Sequence, residues 1–135
     1  MKKIILGLAV LFLLAVTVSC KKKKDGNEGG CGEQAIKATT IPAIGTVDPP
    51  SPGKDFPLVV NIEPMPATGA TVVVSAKAEN NGTPFFTTTL DKALGSNSLS
   101  ITNTPAGVSC IVTITVTSAT CNTNTWSGTY RYTAK

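Results

Sequence analysis

The sequence predicts an all-β chain: a seven-stranded antiparallel β-sandwich behind a signal peptide and a flexible tether. Three observations carry that expectation. Beyond residue 32, apolar residues recur at every second position in short runs, as half-buried strands require. Those runs are rich in Val, Ile and Thr, whose β-branched side chains suit a pleated surface. Clusters of Pro, Gly and Asn separate them, and no stretch shows a helical repeat.

The leader comes first. Lys2 and Lys3 precede an apolar run from Ile4 to about Val18, shorter than the roughly 20 residues that a spanning helix needs. Ser19 and Cys20 close the run, and Lys21 to Lys24 follow at once. This arrangement resembles a bacterial lipoprotein signal of the kind met in Bacteroidota, with Thr17 where such signals usually place Leu, Val or Ile. The resemblance implies that residues 1–19 are removed and that Cys20 carries the lipid. It also implies attachment to the bacterial outer membrane, on either its periplasmic or its cell-surface face. The same run also reads as an ordinary secretory signal or an uncleaved N-terminal anchor. Each buried acyl methylene contributes about 0.8 kcal/mol, so two or three chains hold a small domain durably. Each lysine near anionic headgroups adds about 1 kcal/mol.

Residues 20–32 form the lipidated cysteine and a flexible Lys/Gly-rich tether, with too little apolar surface to fold. Asp25, Asn27 and Glu28 faintly resemble the start of a calcium loop, but the twelfth position is Ile36 rather than Glu. No metal ligand set and no cofactor are expected.

Residues 33–135 hold the strands. The first is expected at about Gln34–Thr40, resuming after Pro42 near Ile44–Val47. Asp48 to Gly53 reads as a loop, because three prolines cannot join a ladder. The second strand, about Phe56–Glu63, sets Leu58, Val60 and Ile62 on one face. After the turn Pro64–Gly69, the third spans about Ala70–Ala78, with Val72, Val74 and Ala76 inward. Asn80-Asn81-Gly82 is a turn signal, and the fourth strand is Thr83–Leu90. Gly95-Ser96-Asn97 reads as a break before the fifth, about Ser98–Asn103. The sixth, Val108–Thr117, alternates Cys110, Val112, Ile114 and Val116 against three threonines. The last, about Thr125–Ala134, puts Trp126, Tyr130 and Tyr132 on one face with Gly128 between them.

Seven short strands in about a hundred residues resemble an immunoglobulin-like or fibronectin III-like sandwich. The stretch Ile41 to Pro64 is similar to the first hairpin of bacterial modules of that kind. The second strand has no cysteine and the third no tryptophan, so the antibody-type core is missing.

Cys31, Cys110 and Cys121 remain after Cys20, and an exported compartment permits disulfides. The first strand of such a sandwich begins at the end where the sixth finishes. That favours a Cys31–Cys121 bridge, with Cys110 a buried thiol. An extended strand would hold Cys110 and Cys121 more than about 20 Å apart, beyond disulfide reach.

Six of the twelve basic residues lie in the leader and the lysine run, whereas all eight acids follow Lys24. The part beyond Lys24 therefore carries about −2, and nucleic acid is not an expected partner. The chain has no histidine, no Gly-x-Ser-x-Gly and no recognisable carboxylate pair, so no enzyme is expected. Two function classes follow. One is a small non-catalytic binding or interaction module, touching an envelope protein or a glycan. The other is a structural accessory subunit of an envelope complex. A carbohydrate-binding version of the first would stack sugars on Trp126, Tyr130 and Tyr132 if the stripe is exposed; if it faces inward, the stripe closes the core.

Overall fold

The computed structural model describes residues 29–135. The leader, Cys20 and Lys21–Lys24 lie outside the described residues. Seven strands follow a short 3-10 turn at Gly30–Gly32: β1 (Ala38–Ile41), β2 (Phe56–Ile62), β3 (Ala70–Ala78), β4 (Pro84–Leu90), β5 (Ser96–Ile101), β6 (Ser109–Ser118) and β7 (Thr125–Thr133). They form two antiparallel sheets, one in the order β1-β2-β5 and one in the order β4-β3-β6-β7. This is an all-β sandwich consistent with an immunoglobulin-like domain.

Alternation places the core. β6 buries Cys110, Val112, Ile114 and Val116 completely, and β3 buries Val72, Val74 and Ala76 the same way. The register sets Val72, Val74 and Ala76 beside Val116, Ile114 and Val112, so one side of the core is a continuous aliphatic sheet face. Leu58, Val60 and Ile62 of β2 and Ile101 of β5 close it from the other sheet.

Two expectations are corrected. Ser96 and Asn97 start β5 rather than break the chain before it. The buried Asn97 amide explains this. It donates to Val60 O (3.2 Å) and Leu94 O (2.7 Å), and its oxygen accepts from Leu94 N–H (2.8 Å). A turn residue by composition is thus a strand residue whose side chain ties down the preceding turn.

The proline-rich stretch after β1 is also more than a loop. Residues 45–51 run alongside β7, with parallel bridges Val47–Arg131 and Ser51–Ala134. The N–H groups of Gly45, Asp48 and Ser51 donate to Thr129 O, Arg131 O and Thr133 O at 2.8, 2.8 and 3.1 Å. The neighbouring prolines are tolerated because the ladder draws only on residues that keep an N–H. This crossover leaves the first sheet after β1, runs along the edge of the second and returns to the first at β2, and it covers the second half of the β7 edge, which would otherwise invite pairing with another chain.

Candidate functional site

The sandwich has two chemically different ends. β6 runs towards one end and β7 runs back from it, so Cys121, in the connection, lies at the end where β1 begins. There Cys31 and Cys121 form a disulfide with a Cα–Cα separation of 6.0 Å across 90 positions. The bridge predicted from strand topology is present. Cys110 is a free, buried thiol, pushed up in pKa by burial and then by the nearby Glu79 carboxylate.

Asn124 completes that end. Its oxygen accepts from Ile36 N–H (3.1 Å), and its amide donates to Glu33 Oε2 (2.9 Å) and Gln34 O (3.0 Å). The Thr120 hydroxyl donates to Glu33 Oε1 at 3.2 Å and shares a 2.9 Å hydrogen bond with the Thr68 hydroxyl. The Asn124 amide, helped by Thr120, holds the Glu33 carboxyl below its ordinary value against an opposing effect of burial. Gly29 and Gly30 lie against Asn124 and Thr123 so closely that a Cβ on either would collide. The folded part therefore includes residues 29–32, which the sequence assigns to the tether.

At the opposite end, where β1 finishes and β2 begins, a cleft of about 330 Å³ opens between the crossover, β2 and β7. Pro42, Pro49 and Pro57 form its walls. Phe56, Tyr130 and Tyr132 also line it. Phe56 and Tyr132 have ring centroids 4.5 Å apart, and Tyr130 lies 6.2 Å from Tyr132. Ile41, 65% exposed, stands on the rim. Asp48, half-buried, is the only charged residue in the lining.

The two tyrosines differ. Tyr132 shares a 2.7 Å hydrogen bond with the buried Thr104 hydroxyl, and burial pushes its phenol up to about 12 even so. Tyr130 is 2% exposed, and its hydroxyl has no partner among the described residues. Burial, then the neighbouring Tyr132 and Asp48, drives its pKa up further, so it stays a neutral phenol.

Of the two readings of Trp126, Tyr130 and Tyr132, an exposed stripe or one that closes the core, the structure has the inward one. All three share one face, and that face is inward. They stand opposite Val116, Val112 and Cys110, which β6 buries. Trp126 is half-buried and folds over Gly128, where an added Cβ would come within 2.8 Å of its ring and 2.9 Å of Ile44. Gly128 leaves the space that lets Trp126 and Ile44 close the edge of the core together.

Sequence reasoning missed Asp48, Phe56 and the prolines as members of one site. The signal available was a lone acid followed by two prolines, which reads as an ordinary loop. Asn124 was equally silent, because its partners are about ninety positions away. A second hollow, bordered by Gln34, Lys37, Asn61 and Glu63, is polar and more open. Pro64 is its only apolar lining residue, against the prolines and aromatic rings of the cleft.

Among the described residues, no group of three or more His, Cys, Asp or Glu could hold a metal ion, and no helix is long and apolar enough to cross a membrane. Compared with family models, curated proteins and solved structures, the chain finds no match in any of the three.

Proposed function

We propose that this is a lipid-anchored protein of the bacterial cell envelope whose sandwich is a non-catalytic interaction module. The anchor is a lipid on Cys20, and the contact surface is the cleft between the crossover, β2 and β7. One observation carries this reading: the tether enters the sandwich at the Cys31–Cys121 end, and the cleft opens at the other. A module hung from a membrane by one end and carrying an apolar recess at the other is arranged to meet something beyond the bilayer. The absence of histidine from the whole sequence and the scatter of its carboxylates favour binding over catalysis. The inward stripe argues against the glycan-stacking version, which needs accessible ring faces.

Two experiments test the reading. Mass spectrometry of the mature protein is expected to find an acylated N-terminal Cys20, and Cys20→Ala to release the protein from membranes. Crosslinking in intact cells of the native host, followed by capture of the tagged chain, is expected to recover one discrete envelope protein. Recovery of bulk envelope proteins alone would overturn the interaction reading.

A further inference from the structure

We infer that the cleft receives the basic side chain, lysine or arginine, of a partner protein. The inference rests on the interaction reading above and specifies what that partner must present.

The chemistry of the recess is the argument. A lysine or arginine carries an apolar stem and a charged head, and it binds best where the two meet different surroundings. The three proline walls and Phe56 offer the stem an apolar, preformed channel. Asp48 offers the head a carboxylate, and among the described residues no Lys or Arg pairs with it. Arg131, whose backbone binds the crossover, has its guanidinium engaged by Glu79 instead. The Tyr130 hydroxyl supplies a second, independent pointer. It is buried, belongs to a residue that lines the cleft and has no hydrogen-bond partner among the described residues. Buried hydroxyls are ordinarily satisfied. A neutral phenol can accept from an ammonium or guanidinium while Asp48 balances its charge.

The volume agrees. About 330 Å³ lies at the lower end for ligand pockets and suits one long side chain rather than a folded segment. The exposed Ile41 on the rim favours a protein source over a free amine, because a partner's surface around the inserted residue would cover it. An anionic or neutral occupant would leave Asp48 uncompensated.

The test uses the full chain in lipid nanodiscs, with ring-labelled tyrosine followed by NMR. n-Butylamine stands in for the lysine head and stem, and 1-pentanol is its neutral counterpart. The amine is expected to shift the Tyr130 and Tyr132 signals, and Asp48→Asn to weaken it at least tenfold without altering the response to pentanol. Equal binding of amine and alcohol to both proteins, or no response to the amine, would overturn the inference. In native cells a carbodiimide condenses Asp48 only with an amine in contact with it. An Asp48 crosslink to a lysine of another protein supports the partner assignment. A crosslink to Lys21–Lys24 of this chain overturns it. If Asp48→Asn still recovers the same partner with a general crosslinker while the amine fails to bind, the basic-residue inference falls and the interaction reading stands. Loss of any discrete partner despite amine binding would instead sink the interaction reading.

Discussion

The two ends of the sandwich solve opposite problems. At the Cys31–Cys121 end, Asn124 spends its oxygen and its amide on three partners, and a covalent bridge backs them. Each end keeps one buried hydroxyl without a partner among the described residues, Ser118 at the bridged end and Tyr130 at the cleft end, and one exposed aliphatic side chain, Leu94 and Ile41; what the cleft end has alone is an apolar recess with a single carboxylate, Asp48. One end is tied by a covalent bond and a buried amide, whereas the other keeps an open recess. The difference teaches that stability and recognition are drawn from separate parts of one small core.

The comparison breaks most visibly if the bridge is removed. Cys31→Ser with Cys121→Ser opens a loop of about ninety residues. Chemical denaturation is expected to show a loss of roughly 4 kcal/mol, on the loop-entropy account. Hydrogen exchange should rise first in β1, which has only β2 as a neighbour. A uniform rise across both sheets would show that the bridge does not act locally.

Asn124→Ala tests the same end without touching the bridge. It strands the Ile36 N–H in a buried setting, and the expected cost is about 1–3 kcal/mol by denaturant unfolding. Acid probes the network from the side of Glu33. Its carboxyl is held below the ordinary value by Asn124, so its contribution is full above the unfolded value and is lost as pH falls through the lower folded one. Melting temperature should therefore drop more steeply below about pH 4 in the native protein than in Glu33→Gln. Parallel acid curves for the two would remove Glu33 from the account.

The smallest effect belongs to the other end. Tyr130→Phe deletes a hydroxyl that has no partner among the described residues, so stability is expected to hold or rise by up to about 1 kcal/mol. A clear loss on unfolding would mean that the hydroxyl is satisfied in solution and that the contrast between the ends is weaker than drawn.

How much of this was legible in the sequence depended on the range of the contacts. β3 and β6 were legible because their alternation is written into consecutive residues, Ala70–Ala78 and Ser109–Ser118. The bridge was legible because strand order alone brings Cys31 near Cys121. The inward facing of Tyr130 and Tyr132 stood as one of two readings, since period two fixes a shared face but not which face. The cleft was not legible. It needs Ile41, Asp48, Phe56 and Tyr130 from four separate stretches, and the prolines that wall it look like any loop. The crossover was half visible: Ile44–Val47 has strand character, but its partner is the distant β7, which no local pattern names. Asn97 was misread because a turn-forming amide and a strand-anchoring amide have the same composition.

The disulfide also sets the path of mechanical load. Without it, a pull on the tether would load β1 first, through its four-residue ladder to β2. With it, tension leaves the chain at Cys31 and enters the sandwich at Cys121, between β6 and β7. If a partner holds the cleft at the far end, the load then runs lengthwise along β7, whose bonds to β6 and to the crossover are strained in shear, many together. Constant-force stretching from the cleft to the tether should find the oxidised protein rupturing at much higher force than the reduced one. A bridge beside the core thereby moves the load from a ladder of four register pairs to one of nine.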